Sequence, residues 1–156
     1  FEGIYYNLET SHEDVEPEQE PYPQEDPERL DWWDEEYLAF SRFDASLDFG
    51  SNWWPVDEDF DADPKYFASK WHAWIRVKET GTISFLIGAA DDFWLFIDNE
   101  IVYLNPGIHE FSSQEIPISL SGGQFPIEIR YAHRAGDNGL RFRLIDENAA
   151  ICYPEY

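Results

Sequence analysis

The sequence predicts an all-β chain: an antiparallel β-sandwich of jelly-roll-like type, with a long acidic surface loop and one short helix. Three observations carry this expectation. Apolar and polar residues alternate at Ile83-Phe85-Ile87, at Ile127-Ile129-Tyr131 and at Leu140-Phe142-Leu144, which is the period of a half-buried strand. Turn-forming Gly, Pro, Asn and Asp separate these runs, so that roughly eight short strands follow one another. Aromatics make up 18% of the chain and Met is absent, a composition that suits a stiff β core.

In chain order, Phe1 to Leu8 reads as a first strand, with Ile4 and Tyr6 on one side and Tyr5 on the other. Glu9 to Glu28 holds four prolines and many acids, with little that is apolar beyond Val15 and Tyr22. That composition makes residues 9–28 an acidic, Pro-rich surface loop, either functional or a tolerated insertion. Leu30, Trp33, Tyr37 and Phe40 recur at three- and four-residue spacing, which predicts a short amphipathic helix. Asp48 to Pro64 reads as a second loop. Its Asp57, Asp59, Asp61 and Asp63 alternate as in a calcium loop but lack the mid-loop Gly and the twelfth-position Glu, and a solvated acidic loop is the other reading.

Tyr66 to Val77 is rich in strand formers and sets Phe67, Ser69, Trp71, Ala73 and Ile75 on one face. Glu79-Thr80-Gly81 turns the chain, which predicts a hairpin with the strand that follows. After the alternating Ile83-Phe85-Ile87 run, Phe93 to Ile97 is apolar throughout, as in a strand covered on both sides. Asp98-Asn99-Glu100 then turns into Ile101 to Leu104, a second hairpin that Asn105-Pro106-Gly107 ends. Further strands are expected at Glu115 to Leu120, at Phe125 to His133 and around Leu140 to Leu144.

The stretch from Thr80 to Glu100 is the centre of the functional argument, because Asp91 and Asp92 sit between two of its strands. Adjacent residues of an extended chain point to opposite faces, so the two carboxylates converge only if the backbone turns sharply between them. A cis peptide would do so at about 3–4 kcal/mol, which something must offset. A cation relieves the repulsion of paired carboxylates, and calcium, with about 6–8 oxygen ligands, can leave positions open for hydroxyls. A solvated turn is the plain alternative. Arg134 to Gly139 supplies a second loop, in which Asp137 and Asn138 offer side-chain oxygens and two glycines free the backbone. Asp137-Asn138-Gly139 is also ordinary hairpin chemistry.

Length and charge narrow the function classes. The 156 residues fit one domain spanning 1–156, with enough chain to bury a core. A formal net charge of −23 opposes encounter with nucleic acid or anionic membranes and favours cations and neutral ligands. Cys152 is the only cysteine, which leaves no intrachain disulfide. No run of eighteen apolar residues occurs, so membrane insertion is not expected and the chain reads as soluble. A start at Phe1 within a strand-like segment suggests a piece of a larger protein, with any secretion signal outside it. His12, His72, His109 and His133 lack zinc spacing, and no glycine-rich phosphate loop precedes a helix.

These features in their order resemble the protective-antigen-type β-sandwich, found in the anthrax toxin component, yeast flocculins and related fungal adhesins, bacterial surface adhesins and some glycosidases. The resemblance rests on Gly3-Ile4-Tyr5-Tyr6, on Phe67 to Ile75, on Glu79 to Phe85, on Asp91-Asp92-Phe93-Trp94-Leu95-Phe96-Ile97-Asp98-Asn99, and on the closing Pro126 to Tyr131 and Gly139 to Phe142. The acidic loop around residues 9–28 is outside the usual pattern. The resemblance implies that Asp91 and Asp92 bind calcium through a cis-linked pair, with Asn138, and Asp137 beside it, as the nearest match to the late loop. It implies that the ion takes vicinal hydroxyls of a sugar.

The expected function is therefore a calcium-dependent carbohydrate-binding module of a cell-surface or secreted adhesin, part of a larger surface protein, with glycans as partners. Its site would consist of Asp91, Asp92, Asn138 and Asp137, with Trp94 or Tyr103 as a stacking surface if either is not core. A structural or protein-interaction module in which calcium only rigidifies the fold is the alternative. A glycosidase would need carboxylates about 5–10 Å apart across a cleft, which adjacent aspartates do not obviously provide; the chain is expected not to be an enzyme.

Overall fold

The computed structural model describes residues 1–9, 11–12, 26–56 and 62–153. They form two antiparallel sheets packed face to face, the predicted sandwich. The larger sheet contains β1 (Glu2–Asn7), β2 (Leu38–Phe43), β4 (Phe67–Val77), β6 (Asp92–Ile97), β7 (Glu100–Asn105), β9 (Gly123–His133) and β11 (Ala149–Cys152). Their order is β2-β1-β4-β9-β6-β7, with β11 paired to β4. The smaller sheet has the order β3-β10-β5-β8, formed by β3 (Leu47–Ser51), β5 (Gly81–Ala89), β8 (Ser112–Leu120) and β10 (Gly139–Leu144).

The period-2 pattern fixes which side chains meet between the sheets. On β4, Phe67, Trp71, Ala73, Ile75 and Val77 are buried with Ile83, Phe85 and Ile87 of β5, Phe93, Leu95 and Ile97 of β6, and Ile127, Ile129 and Tyr131 of β9. A one-residue slip of any of these strands would turn its whole apolar set outward, so the register is strongly specified. The all-apolar β6 has a different cause from that of a parallel strand. Its other face meets a second cluster, in which Trp94 and Phe96 pack with Tyr6, Leu8, Leu30, Trp32, Ala68 and Ala132. That cluster lies on the outer face of the larger sheet, beneath the segment that leads into β2.

Four expectations are corrected. Leu30, Trp33 and Tyr37 do not share an α-helix. The segment forms three successive 3-10 turns, at Pro27–Arg29, Asp31–Trp33 and Glu35–Tyr37, and Phe40 belongs to β2. Leu30 and Trp32 turn inward and are buried, because this stretch must cover a flat sheet face rather than present one stripe. The loop expected from Asp48 begins as a strand, β3, which pairs with β10. β4 and β5 are not a hairpin: the turn at Lys78 to Thr80 carries the chain from one sheet to the other. β11 follows the last expected strand and pairs with the end of β4.

The second predicted hairpin holds. Ile97 pairs with Glu100 across Asp98-Asn99, and both turn residues have positive φ, 54° and 64°, as a two-residue type I′ turn requires. Most of the acidic 9–28 loop lies outside the described residues, as do Asp57, Asp59 and Asp61 of the alternating run. Asp63 is described and caps a local turn, its carboxylate accepting the Lys65 N–H at 3.0 Å.

Candidate functional site

The chain leaves the smaller sheet at Ala89 and enters the larger one at Asp92, so Ala90-Asp91 is a crossing between sheets. Asp91 makes the crossing with φ of 69°, a left-handed conformation that Asp tolerates better than most non-glycine residues. The turn brings both carboxylates to the same end of the sandwich. There they meet the segment between β7 and β8 and the loop between β9 and β10. Both side chains are fully buried.

Each carboxylate ties those segments together. Asp91 Oδ1 accepts the His109 N–H at 3.1 Å, and Oδ2 accepts the Arg134 and Ala135 N–H groups at 2.7 and 2.9 Å. The Asp91 N–H in turn donates to the His109 carbonyl at 3.1 Å. Asp92 Oδ1 accepts the Gly107 N–H at 2.7 Å. Gly107 has φ of 97°, a conformation in which a Cβ would be strained. Asp92 Oδ2 accepts Arg134 Nε at 2.7 Å, and an Nη2 contact to Oδ1 at 3.4 Å completes a side-on pair. Both members of this ion pair are at 0% exposure, so their mutual attraction acts with little solvent screening. The guanidinium lies over the Trp32 ring at 5.4 Å, which links the pair to the 3-10 segment.

Burial is the main influence on Asp91 and raises its pKa above the ordinary value. The three backbone N–H donors and the nearby His133 oppose that rise. His133 is itself fixed, with Nδ1 2.5 Å from the Lys65 carbonyl and Nε2 3.1 Å from that of Gly136. It thereby holds the start of the 134–138 loop.

The remaining sequence-predicted residues have different surroundings. Asn138 is buried, but its amide brackets the Trp53 backbone: Oδ1 accepts the Trp53 N–H at 2.6 Å and Nδ2 donates to the Trp53 carbonyl. Asp137 is exposed on the same loop. Trp94 is fully buried in the second core cluster, edge-on to Trp32 and Trp33. Tyr103 is half-buried against the main core, and its hydroxyl accepts from Gln114 at 2.8 Å. The structure thus brings Asp91 and Asp92 together and leaves the indole of Trp94 in the core. Arg134 was not among the expected residues. Its signal in sequence is slight: a cation directly after a strand end, in a chain where cations are few.

As arranged, these residues do not fit a calcium ion that also takes sugar hydroxyls. Such an ion needs several free oxygens and open positions. Here the carboxylate oxygens already accept N–H donors, a guanidinium stands against Asp92, and Asp91, Asp92 and Asn138 are all closed to solvent. Among the described residues no group of three or more His, Cys, Asp or Glu side chains could hold a metal ion. No described helix is long and apolar enough to cross a membrane.

Comparison with known proteins gives a family and a fold. The family model described as "PA14 domain" matches residues 3–155. The PA14 domain of the MpAFP antifreeze protein is 14% identical, with a TM-score of 0.65, over 99% of this chain and 90% of that one. The Epithelial Adhesin 9 A domain from Candida glabrata, in complex with Galb1-3GlcNAc, is 16% identical, with a TM-score of 0.61, over 97% of this chain and 84% of that one. An anti-sigma factor domain-containing protein is 15% identical, with a TM-score of 0.62, and covers 98% of this chain. The chain spans 45% of that protein's length, and only 12% of a matching GH31 alpha-xylosidase from Xanthomonas citri. No curated protein matches by sequence.

Proposed function

Because the chain belongs to the PA14 domain family, we propose that it is a non-enzymatic carbohydrate-binding module of a cell-surface or secreted adhesin, part of a larger protein. The observation that carries this reading is the PA14 family match over residues 3–155 of a two-sheet sandwich. The adhesin structure solved with a galactose-containing disaccharide supports the ligand class, although fold alone does not fix function.

The calcium form of the reading asks for more. Calcium held by Asp91 and Asp92, with Asn138 and Asp137, would compete directly with Arg134 for Asp92 and with Trp53 for Asn138. Ion uptake on this reading comes with loss of the Arg134–Asp92 pair. The second reading, a structural module, is favoured by that same pair: Arg134 already supplies a cation to Asp92 from within the chain.

The test is calorimetric titration of calcium into chelator-stripped protein, followed by a glycan array with and without the ion. Calcium uptake with ion-dependent glycan signals is the result expected of the calcium lectin. Glycan signals that persist in chelator keep the carbohydrate module and remove the ion from it. Absence of glycan signals under both conditions would overturn the proposal in favour of the structural module.

A further inference from the structure

A cleft of about 570 Å³ opens on the outer face of the larger sheet, away from the Asp91–Asp92 crossing, beside the edge of the 3-10 segment. Its lining combines aromatic walls with a polar floor. Trp74 of β4 is half-buried beside its cross-strand neighbour Pro126. Phe43 and Tyr153 meet edge-to-face at 6.2 Å and are 75% and 48% exposed. Large aromatic side chains gathered in solvent around a concavity mark a recognition surface more often than scattered ones do.

The floor is a connected row across the strands. Glu128 of β9 faces His72 of β4, with Oε2 3.4 Å from His72 Nδ1, and its other oxygen accepts Arg130 Nε at 2.5 Å. Arg130 is only 4% exposed and its guanidinium lies between the Trp33 and Phe96 rings, 5.3 and 5.0 Å from their centroids. Its Nη2 donates to Glu28, a residue of the first 3-10 turn whose side chain is 67% exposed. Its Nη1 is buried with no hydrogen-bond partner. A buried donor left unmatched within the chain is costly, so Nη1 is placed to take an acceptor from outside it, a water or a ligand hydroxyl.

We propose that this cleft is a second carbohydrate subsite, one that needs no metal ion and binds a neutral pyranose by stacking and hydroxyl hydrogen bonds. It rests on the reading of the domain as a glycan-binding module but uses none of the loop-end residues. The chemistry selects the ligand class. An anion would satisfy Arg130 yet meet Glu28 and Glu128; an ammonium would suit those carboxylates yet offer Arg130 no acceptor. A sugar hydroxyl is both donor and acceptor, and the apolar face of a pyranose fits Trp74 and the Phe43–Tyr153 wall. Arg130 and the exposed Glu28 side chain both line the cleft, so a hydroxyl seated there meets the guanidinium at its Glu28 edge, while stacking holds Arg130 in place.

The experiment is titration of the full chain with lactose and with cellotetraose in the presence of chelator, followed by NMR of the tryptophan indole and arginine Nε signals. Binding with shifts at Trp74 and Arg130, weakened at least tenfold by Trp74→Ala and by Phe43→Ala but not by Asp91→Asn, is the expected result. Phe43 is exposed and Trp74 half-buried, and melting curves for each variant separate lost binding from lost fold. Sugar binding that responds to Asp91→Asn and not to Trp74→Ala would overturn this subsite while leaving the domain a carbohydrate module. No shift with either sugar up to 20-fold excess over a weak, roughly millimolar Kd would overturn it too. So would Trp74-dependent binding of a neutral peptide without any sugar binding.

Discussion

Replacing Arg134 with methionine keeps much of the side-chain volume and removes the charge that faces Asp92. In the wild type, Nε stands 2.7 Å from Oδ2 and both side chains are at 0% exposure. At a charge separation of about 4 Å and an effective dielectric near 20, the attraction is worth about 4 kcal/mol. Breaking a buried pair by deleting one partner costs about 3–5 kcal/mol, because the other charge is left buried without its counterion. The two figures agree, and against a total stability of about 5–15 kcal/mol the loss is large. For a domain of this size it lowers the melting temperature by about 6–20 °C. Urea denaturation of Arg134→Met in chelator at neutral pH measures the effect directly. A companion Arg134→Met/Asp92→Leu double variant, lacking the stranded charge, is expected to recover at least half of the loss. A loss below about 1 kcal/mol for the single variant would refute the pair as a determinant of this end of the sandwich, since that is the range of exposed ion pairs.

Asp91→Asn places an NH₂ group against backbone N–H donors from His109 or from Arg134 and Ala135, with an expected loss of about 1–3 kcal/mol. Its pH dependence has a defined sign. Burial raises the Asp91 pKa above 3.8, so the wild type has its full contribution from this group below that value and loses it as pH rises through the folded-state pKa. The deficit of Asp91→Asn therefore narrows from pH 3 toward neutrality; a deficit that widens, read from urea midpoints, contradicts the assignment. Gly107→Ala forces a Cβ into φ of 97° and disturbs the N–H that Asp92 accepts, for about 1–3 kcal/mol by denaturant titration. Asn138→Ala removes both bonds to the Trp53 backbone and is expected to lower stability by about 1–3 kcal/mol even in chelator, a loss that a purely metal-binding Asn138 would not produce.

The sandwich was legible where burial is one-sided. In β4, β5 and β9 the alternation states both the strand and its inner face, because a slip of one residue would expose the core set. The 3-10 segment was misread because Leu30, Trp33 and Tyr37 have helical spacing, whereas their role is to cover a sheet face, and cover of that kind needs apolar bulk without a helical stripe. The partner sheet of β5 was equally hidden. A short turn after β4 looks like a hairpin in sequence, and only the packing of two apolar faces decides that it crosses between layers.

At the site, adjacency and the strand break pointed to Asp91 and Asp92 as convergent. What they converge on was not legible. Arg134, Gly107 and His109 meet the pair through backbone N–H groups and one inward-turned side chain, and neither periodicity nor residue type encodes those contacts. Trp94 shows the converse limit. An aromatic beside a polar pair reads as either core or stacking surface, and the segment from Leu30 to Trp33 that covers it decides for the core. The outer cleft was unreadable for a similar reason, since Phe43, Trp74 and Tyr153 come from three strands or their ends and are neighbours only in the folded sheet.

The measurement that bears most directly on the proposed carbohydrate function is glycan binding by the intact chain, read on a broad array in calcium and again in chelator. Saccharide signals in calcium that a free neutral oligosaccharide competes away are the expected result. Silence across the array in both conditions, from protein whose melting curve reports a folded sandwich, would contradict it and leave the Asp91–Asp92–Arg134 assembly as a structural clasp.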